Sequence, residues 1–326
     1  MNNTTLKEIS RVLGISISTV SRALKNHPDI AERTKLRVTE LAHTLDYEPN
    51  ANAVQLRTSK SNLFGLLVPS ISNFFYHSFI AAIEEESRKN NYAVMILQSG
   101  VAPEAELANL KLCRQNRVSG VFACLPGNGN INMEAYLKFK DQDIPVIFFD
   151  KVPSHNNCNK VCVADKESAI LAANTILKKN KKKVLAIFGN PTLSITRKRM
   201  AAFTDILQHQ IAVEIVYADN AEEAGAHTTK GLADKPDTIF CMSDEILTGV
   251  MKALQIAGVK IPEETGVIAI SNGFIPTLYF PEITYVETSG HKLGKLAFSS
   301  MMACIGGSTF LQELTSETIL VEGGSL

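Results

Sequence analysis

Residues 5–24, TLKEISRVLGISISTVSRAL, decide the fold of the N-terminal part of the chain. Thr5 through Glu8 read as a capping box, in which a hydroxyl accepts from the backbone three residues on and a carboxylate reaches back. Leu6, Ile9, Val12 and Leu13 then fall on one face of a short helix, which Gly14 ends. Ser16 caps a second helix whose buried stripe is Val20, Ala23 and Leu24, at i, i+3 and i+4. At about 100° per residue, Ser18, Ser21 and Arg22 point away from that stripe, and Ile17 sits on its margin. Hydroxyl residues are mediocre helix formers because they compete with the backbone for hydrogen bonds. Their concentration here therefore needs a cause other than helix stability.

Working outward, Pro28 forbids continuation of the second helix through the Asn26–His27 turn, and a third helix is expected from about 31 to 45, burying Val38, Leu41 and Leu45. Two short helices joined by a tight glycine-containing turn, with a third packed across them, form a helix-turn-helix. Small side chains on the second helix allow close approach to a major groove, hydroxyls contact phosphates or bases, and Arg can hold guanine bidentately. A surface helix that is merely serine-rich would carry the same pattern. Residues 1–60 hold nine Lys and Arg against six Asp and Glu, in a chain whose net charge is zero; that excess permits a nucleic-acid face without requiring one. Beyond it, Pro49 to Thr58 supports only about two turns of helix with Asn50 as N-cap, marginal in isolation. Leu56 lacks an intrachain partner in so short a linker. It reads as a wedge for a minor-groove base step or as an incidental side chain on a tether.

Together, Thr5-Leu6-Lys7-Glu8-Ile9, Gly14, Ser16-x-Ser18-Thr19-Val20-Ser21-Arg22-x-Leu24, Thr34, Tyr47-x-Pro49-Asn50-Ala51 and Leu56-Arg57-Thr58 resemble the lac repressor family of bacterial transcription regulators. The similarity continues through the rest of the chain. The resemblance implies a homodimer that reads two half-sites of a pseudo-palindromic double-stranded DNA operator. By matching position it implies Ile17, Ser18 and Arg22 as base readers, Ser16, Thr19, Ser21, Asn26 and Thr34 as phosphate contacts, and Leu56 as a minor-groove lever on a hinge helix. Two departures stand out. Ala31 replaces the Ser that usually caps the third helix, a loss of roughly 1 kcal/mol unless Asp29 or the chain entry compensates. Asn52 takes a hinge position that is often apolar.

From residue 63 to 289 the chain alternates apolar runs with helical segments. Strands are expected at 64–68, 92–97, 120–125, 145–149, 184–188, 238–241 and 266–270, and helices at 79–90, 104–116, 166–179 and 244–257. Near-continuous apolar strands between amphipathic helices mean parallel sheets covered on both faces, and so many βα units fit two doubly wound lobes better than one sheet. The expected division is a headpiece at 1–48, a hinge at 49–60 and a two-lobed core at 61–326, with one lobe at about 61–160 and 290–318 and the other at about 161–289 and 319–326. The resemblance likens this core to a periplasmic sugar-binding protein.

In open α/β sheets, ligands lie beyond the carboxyl ends of the strands, so a cleft between the lobes is the expected pocket for a small-molecule effector, a sugar or sugar derivative. Ser70, Phe74, Phe75, Tyr76 and Asp150 are placed there by position, and the resemblance adds Arg199, Asn220 and Asp244. Aromatic rings can stack on a sugar or base, and Arg199 with Asp150 can bracket hydroxyls. Ser271 stands where relatives carry a carboxylate. That change leaves Arg199 less neutralised and points to a more anionic effector.

Several function classes drop out. There is no G-x-S-x-G, H-E-x-x-H, P-loop or helix-opening G-x-G-x-x-G, so neither an enzyme nor a cofactor is expected; Gly127-Asn-Gly-Asn130 lacks the required context. Six Cys without a C-x-x-C pair, and seven dispersed His, fit reduced buried thiols and no metal site. No signal peptide or membrane-length apolar run is evident, which points to the cytoplasm. Lys178 to Lys183 reads as a helix C-terminus and a solvated turn, not a second DNA surface. With no heptad extension after the last strand, a dimer is expected. The rival expectation is an intracellular small-molecule sensor or sugar-binding protein with a vestigial headpiece.

Overall fold

The computed structural model describes residues 5–47, 61–126, 132–154 and 157–326, and the chain divides into two compact units, Met1–Ser61 and Asn62–Leu326. The hinge segment with Asn50, Asn52 and Leu56, and the Gly127–Asn130 stretch, lie outside the described residues.

In the first unit, α1 (Leu6–Leu13) begins where the Glu8 amide donates to Thr5 Oγ1 at 3.3 Å, and ends at Gly14, whose φ of 67° is left-handed. Helix α2 (Ile17–Leu24) and α3 (Glu32–Thr44) follow. Ile9, Val20, Ala23, Val38 and Ala42 form the buried centre, with Leu6, Leu13, Leu24, Leu41 and Leu45 packed around it. Val12 departs from expectation at 57% exposure. It falls about 60° beyond Ile9 around the helix, clear of the arc shared by Leu6, Ile9 and Leu13. Ala31 makes no side-chain cap to α3. Asp29 does not compensate, because its carboxylate is taken by Arg22.

The second unit contains two six-stranded sheets. The first comprises β1 (Leu63–Val68), β2 (Ala93–Gln98), β3 (Gly120–Ala123), β4 (Val146–Phe149), β5 (Asn159–Val163) and β11 (Glu313–Ser316), in the order β11-β5-β4-β3-β1-β2 and parallel throughout. The second comprises β6 (Lys183–Phe188), β7 (Ala212–Tyr217), β8 (Thr238–Cys241), β9 (Gly266–Ser271), β10 (Thr284–Glu287) and β12 (Ile319–Val321), in the order β12-β10-β9-β8-β6-β7; only β12 is antiparallel to its neighbour. Central strands such as β3, β8 and β9 are buried along their whole length, which is why they read as unbroken apolar runs.

The chain passes between the sheets three times. After β5, α7 (Asp165–Lys178) packs Ala169, Ala172, Ala173 and Ile176 into the core of the second sheet. After β10, α11 (Gly290–Ile305) returns Leu293, Ala297 and Met301 to the first. Between β11 and β12 it crosses again. Helix α11 lies close against α4 (Phe74–Lys89): a Cβ on Gly290 would meet the Phe75 carbonyl oxygen at 2.3 Å, so no larger residue fits there without moving backbone. The lysine run ends α7 and enters β6, and its backbone amides at Lys182 and Lys183 donate to the Asp237 carboxylate. All six Cys are free thiols. No helix among the described residues is long and apolar enough to cross a membrane.

Candidate functional site

Two surfaces concentrate the expected site residues. On α2 the Ser16 hydroxyl accepts from the Thr19 amide at 3.1 Å and lies 2.7 Å from Ser18 Oγ and 2.8 Å from Thr19 Oγ1. These three hydroxyls clasp the first turn of the helix and face outward with it. Val20 and Ala23 are buried behind them, and Ile17 is 46% exposed, on the solvent side of the margin. Arg22 projects from the outer face, its guanidinium paired with Asp29 and 3.5 Å from His27 Nδ1. Ser21 and Thr34 are half-buried, and Asn26 is exposed in a left-handed turn with φ of 52°. The face offers hydroxyls and one guanidinium, groups that bond to phosphate oxygens and to guanine.

The second surface is a cleft of about 510 Å³ in the larger unit. It lies past the carboxyl ends of strands in both sheets, next to the points where strand order reverses at β1 and β6. Phe74, Phe75, Tyr76, Asp150, Arg199, Asp244 and Ser271 all line it. Ser70 and Asn220 do not: Ser70 Oγ lies 3.0 Å from Ser72 Oγ, and Asn220 is spent as the cap of α9 (Ala221–Gly231), accepting from the Glu223 amide at 2.9 Å. Its neighbour Asp219 lines the cleft instead.

Arg199, on α8 (Ser194–Leu207), is buried. Its Nε and Nη2 donate to Asp165 Oδ1 at 3.0 and 2.9 Å, and Nη1 donates to the Met242 carbonyl at 3.1 Å. Arg199 and Asp150, expected to bracket ligand hydroxyls, both line the cleft, but the Arg199 guanidinium is already held by a carboxylate at the start of α7. Asp150 instead accepts from the Tyr76 hydroxyl at 2.7 Å, from a backbone position with φ of 57°. Burial first, then the adjacent Asp150, holds the Tyr76 phenol well above its ordinary pKa; burial pushes the nearby Cys124 thiol up to about 12.

The Ser271 substitution also has a different consequence from the one expected. Ser271 Oγ donates to Asp244, the first residue of α10 (Asp244–Ala257), and the Asn272 amide donates to the same carboxylate at 2.9 Å. A carboxylate thus remains on this wall, and Arg199 is already neutralised by Asp165. The grounds for an anionic effector disappear. Burial raises the pKa of Asp244 despite the two hydrogen bonds that oppose it, and raises that of Asp165 despite Arg199.

Two residues that sequence reasoning did not single out bridge the lobes. Asn73 caps α4 through Oδ1, accepting from the Phe75 and Tyr76 amides, while its Nδ2 donates to Glu245 Oε1 at 3.0 Å on the opposite wall. Asn272 Oδ1 accepts from Ser78 Oγ and from the Gly290 amide, both at 2.9 Å. An Asn just ahead of an apolar run is a legible N-cap; the partner of its second amide atom is not, since Glu245 lies 172 positions away. The cleft thus combines aromatic rings with carboxylates and amides that can bracket a hydroxylated molecule. Among the described residues no group of three His, Cys, Asp or Glu is placed to hold a metal ion.

Residues 5–50 match the family described as bacterial regulatory proteins, lacI family, and residues 64–307 match the periplasmic binding protein domain. The chain is 26% identical over 315 residues to the NTD biosynthesis operon regulator NtdR of Bacillus subtilis (strain 168), covering 94% of each chain. It is 25% identical over 303 residues to catabolite control protein A of Priestia megaterium, covering 90% of each. Among solved structures, the lac repressor dimer bound to operator and the anti-inducer ONPF superposes with a TM-score of 0.87 at 19% identity, over 99% of both chains. A periplasmic binding protein/LacI transcriptional regulator from Alkaliphilus metalliredigens QYMF, complexed with D-xylulofuranose, superposes with a TM-score of 0.71 at 24% identity, over 81% of this chain and 99% of that one.

Proposed function

The chain belongs to the lacI family of bacterial regulatory proteins, a DNA-binding helix-turn-helix joined to a periplasmic-binding-protein core, and from that premise we propose a dimeric operator-binding repressor governed by a hydroxylated small molecule in the cleft. The observation that carries the DNA side is the split of α2 into two faces. Val20 and Ala23 bind it to the headpiece, and Ser18 and Arg22 face outward. Ile17, on the same side, is available to a thymine methyl. The relatives' names, operon regulator and catabolite control protein, favour regulation over the sensor-only alternative and over catalysis.

On the effector side, Asn73–Glu245 and Asn272–Ser78 join the walls of the cleft. A molecule that inserts between those walls changes the free energy of joining them. It thereby biases the two lobe arrangements, and with them the population competent for DNA. A sugar or sugar derivative fits the aromatic, carboxylate and amide lining, and a cytoplasmic location goes with this reading. Fluorescence anisotropy with pseudo-palindromic duplexes tests it. Affinity should fall steeply with added salt and drop on Arg22→Ala; salt-insensitive binding, or none, overturns the proposal.

A further inference from the structure

We propose that the effector is a cation: a hydroxylated amine, such as an amino sugar, held by the carboxylates of the cleft. This deepens the effector reading above and rests on it. Four carboxylates line the cleft, Asp150, Asp219, Asp244 and Glu245, against two cations, Lys151 and Arg199. Arg199 brings no net charge, because Asp165 lies directly behind it and its remaining bond runs to a backbone carbonyl. The surface that meets a ligand therefore carries an excess of negative charge. A phosphorylated or carboxylated sugar would find repulsion on most sides. A neutral sugar would find acceptors but leave the charge standing. An ammonium group answers both.

Independent features point the same way. Phe74, Phe75 and Tyr76 sit together on the same wall, and aromatic faces attract cations most strongly where water is excluded. Thr196 lines the cleft and is fully buried, yet its hydroxyl has no hydrogen-bond partner among the described residues. That Oγ1 lies beside Gly189, another residue of the wall, so an acceptor or donor without a partner sits just beneath the cleft surface, where a small side-chain shift would offer it to a ligand N–H or O–H.

The test is calorimetric titration of the full chain with mono- and diamino sugars, each compared with its N-acetylated form, its neutral parent and a phosphate ester of that parent. Operator affinity is read by anisotropy on the same samples. The expected result is an amine that binds at least tenfold more tightly than its own N-acetylated form. That ratio should shrink toward one in Asp150→Asn, which keeps the left-handed backbone, and in Asp219→Asn, on the exposed rim where folding is not at stake. Three results overturn the inference: a neutral or phosphorylated sugar binding at least as tightly as the amines, no amine of the panel binding, or a ratio unchanged in both variants. If an amine binds with the expected ratio but operator affinity does not move, the charge assignment stands and the regulatory role of the cleft falls. If a neutral or phosphorylated sugar moves operator affinity and the amines do not bind, the reverse holds.

Discussion

Arg22 and Arg199 are each paired with an aspartate, and they differ in almost everything else. Arg22 and Asp29 expose 46% and 62% of their side chains; Arg199 and Asp165 expose 7% and 10%. An exposed ion pair contributes at most about 1 kcal/mol and gives way readily when another partner arrives. Removing one member of a buried pair costs about 3–5 kcal/mol, because the other is left uncompensated. The headpiece thus holds Arg22 loosely, as the proposed exchange of an aspartate for DNA requires. The cleft holds its arginine as part of the wall, so that function there is hard to alter without altering stability.

The sharpest way to break this contrast is Arg199→Met, which should lower the stability of the core by about 3–5 kcal/mol in urea unfolding. The double variant Arg199→Met with Asp165→Leu should recover most of that loss. If the single variant is as stable as the native chain, the two arginines are not different in kind. Arg22→Ala should cost about 1–3 kcal/mol of operator affinity, with headpiece melting shifted by no more than about 0.5 kcal/mol. A comparable loss of stability would make Arg22 structural too. Ala31→Ser supplies the cap that α3 lacks and should raise headpiece stability by about 1 kcal/mol in thermal denaturation, leaving operator preference unchanged. Asp29→Asn, which frees Arg22, should change operator affinity by less than about 1 kcal/mol.

The smallest effect concerns pH. Asp244 is raised in the folded state, so the folded core binds a proton more readily than the unfolded chain does. Its charged form is an unfavourable contribution at neutral pH that fades as pH falls through the raised value. The stability difference between Asp244→Asn and the native chain should therefore drift in favour of the native chain as pH falls from 7 toward the ordinary carboxylate range. A difference that does not change with pH would show that burial leaves this carboxylate unperturbed.

How much of this was legible in the sequence follows from the range of the interactions. Local signals carried: Thr5 and Ser16 as caps, Gly14 as a stop, and the continuous apolar strands at the sheet centres are all written within a few residues of where they act. Strands β5, β7, β10, β11 and β12 were not read. β7 is an edge strand of uneven burial, and β10 to β12 are three or four residues long, too short for a pattern to emerge. In the cleft, the identity of the lining was largely legible but its wiring was not. Arg199 is tied to Asp165, and Ser271 turned to Asp244, because the fold brings together partners 34 and 27 positions apart. The anionic-effector expectation failed at that step: a charge inventory by position cannot say which charges cancel.

Asp150 carries one more consequence, for how such a binding site evolves. Its left-handed backbone, with φ of 57°, accepts Asp, Asn and Gly with little strain and penalises branched or bulky residues. Substitution at this point can keep the carboxylate, neutralise it, or delete the side chain. Reversing the sign meets more backbone resistance than keeping or neutralising it, because Asn and Asp enter the left-handed region more readily than Lys or Arg, even though Arg117 and Lys235 occupy it elsewhere in the chain. A lineage retuning such a cleft toward an acidic ligand would meet least backbone resistance by placing its new cation elsewhere on the wall and leaving an Asn or Gly at position 150.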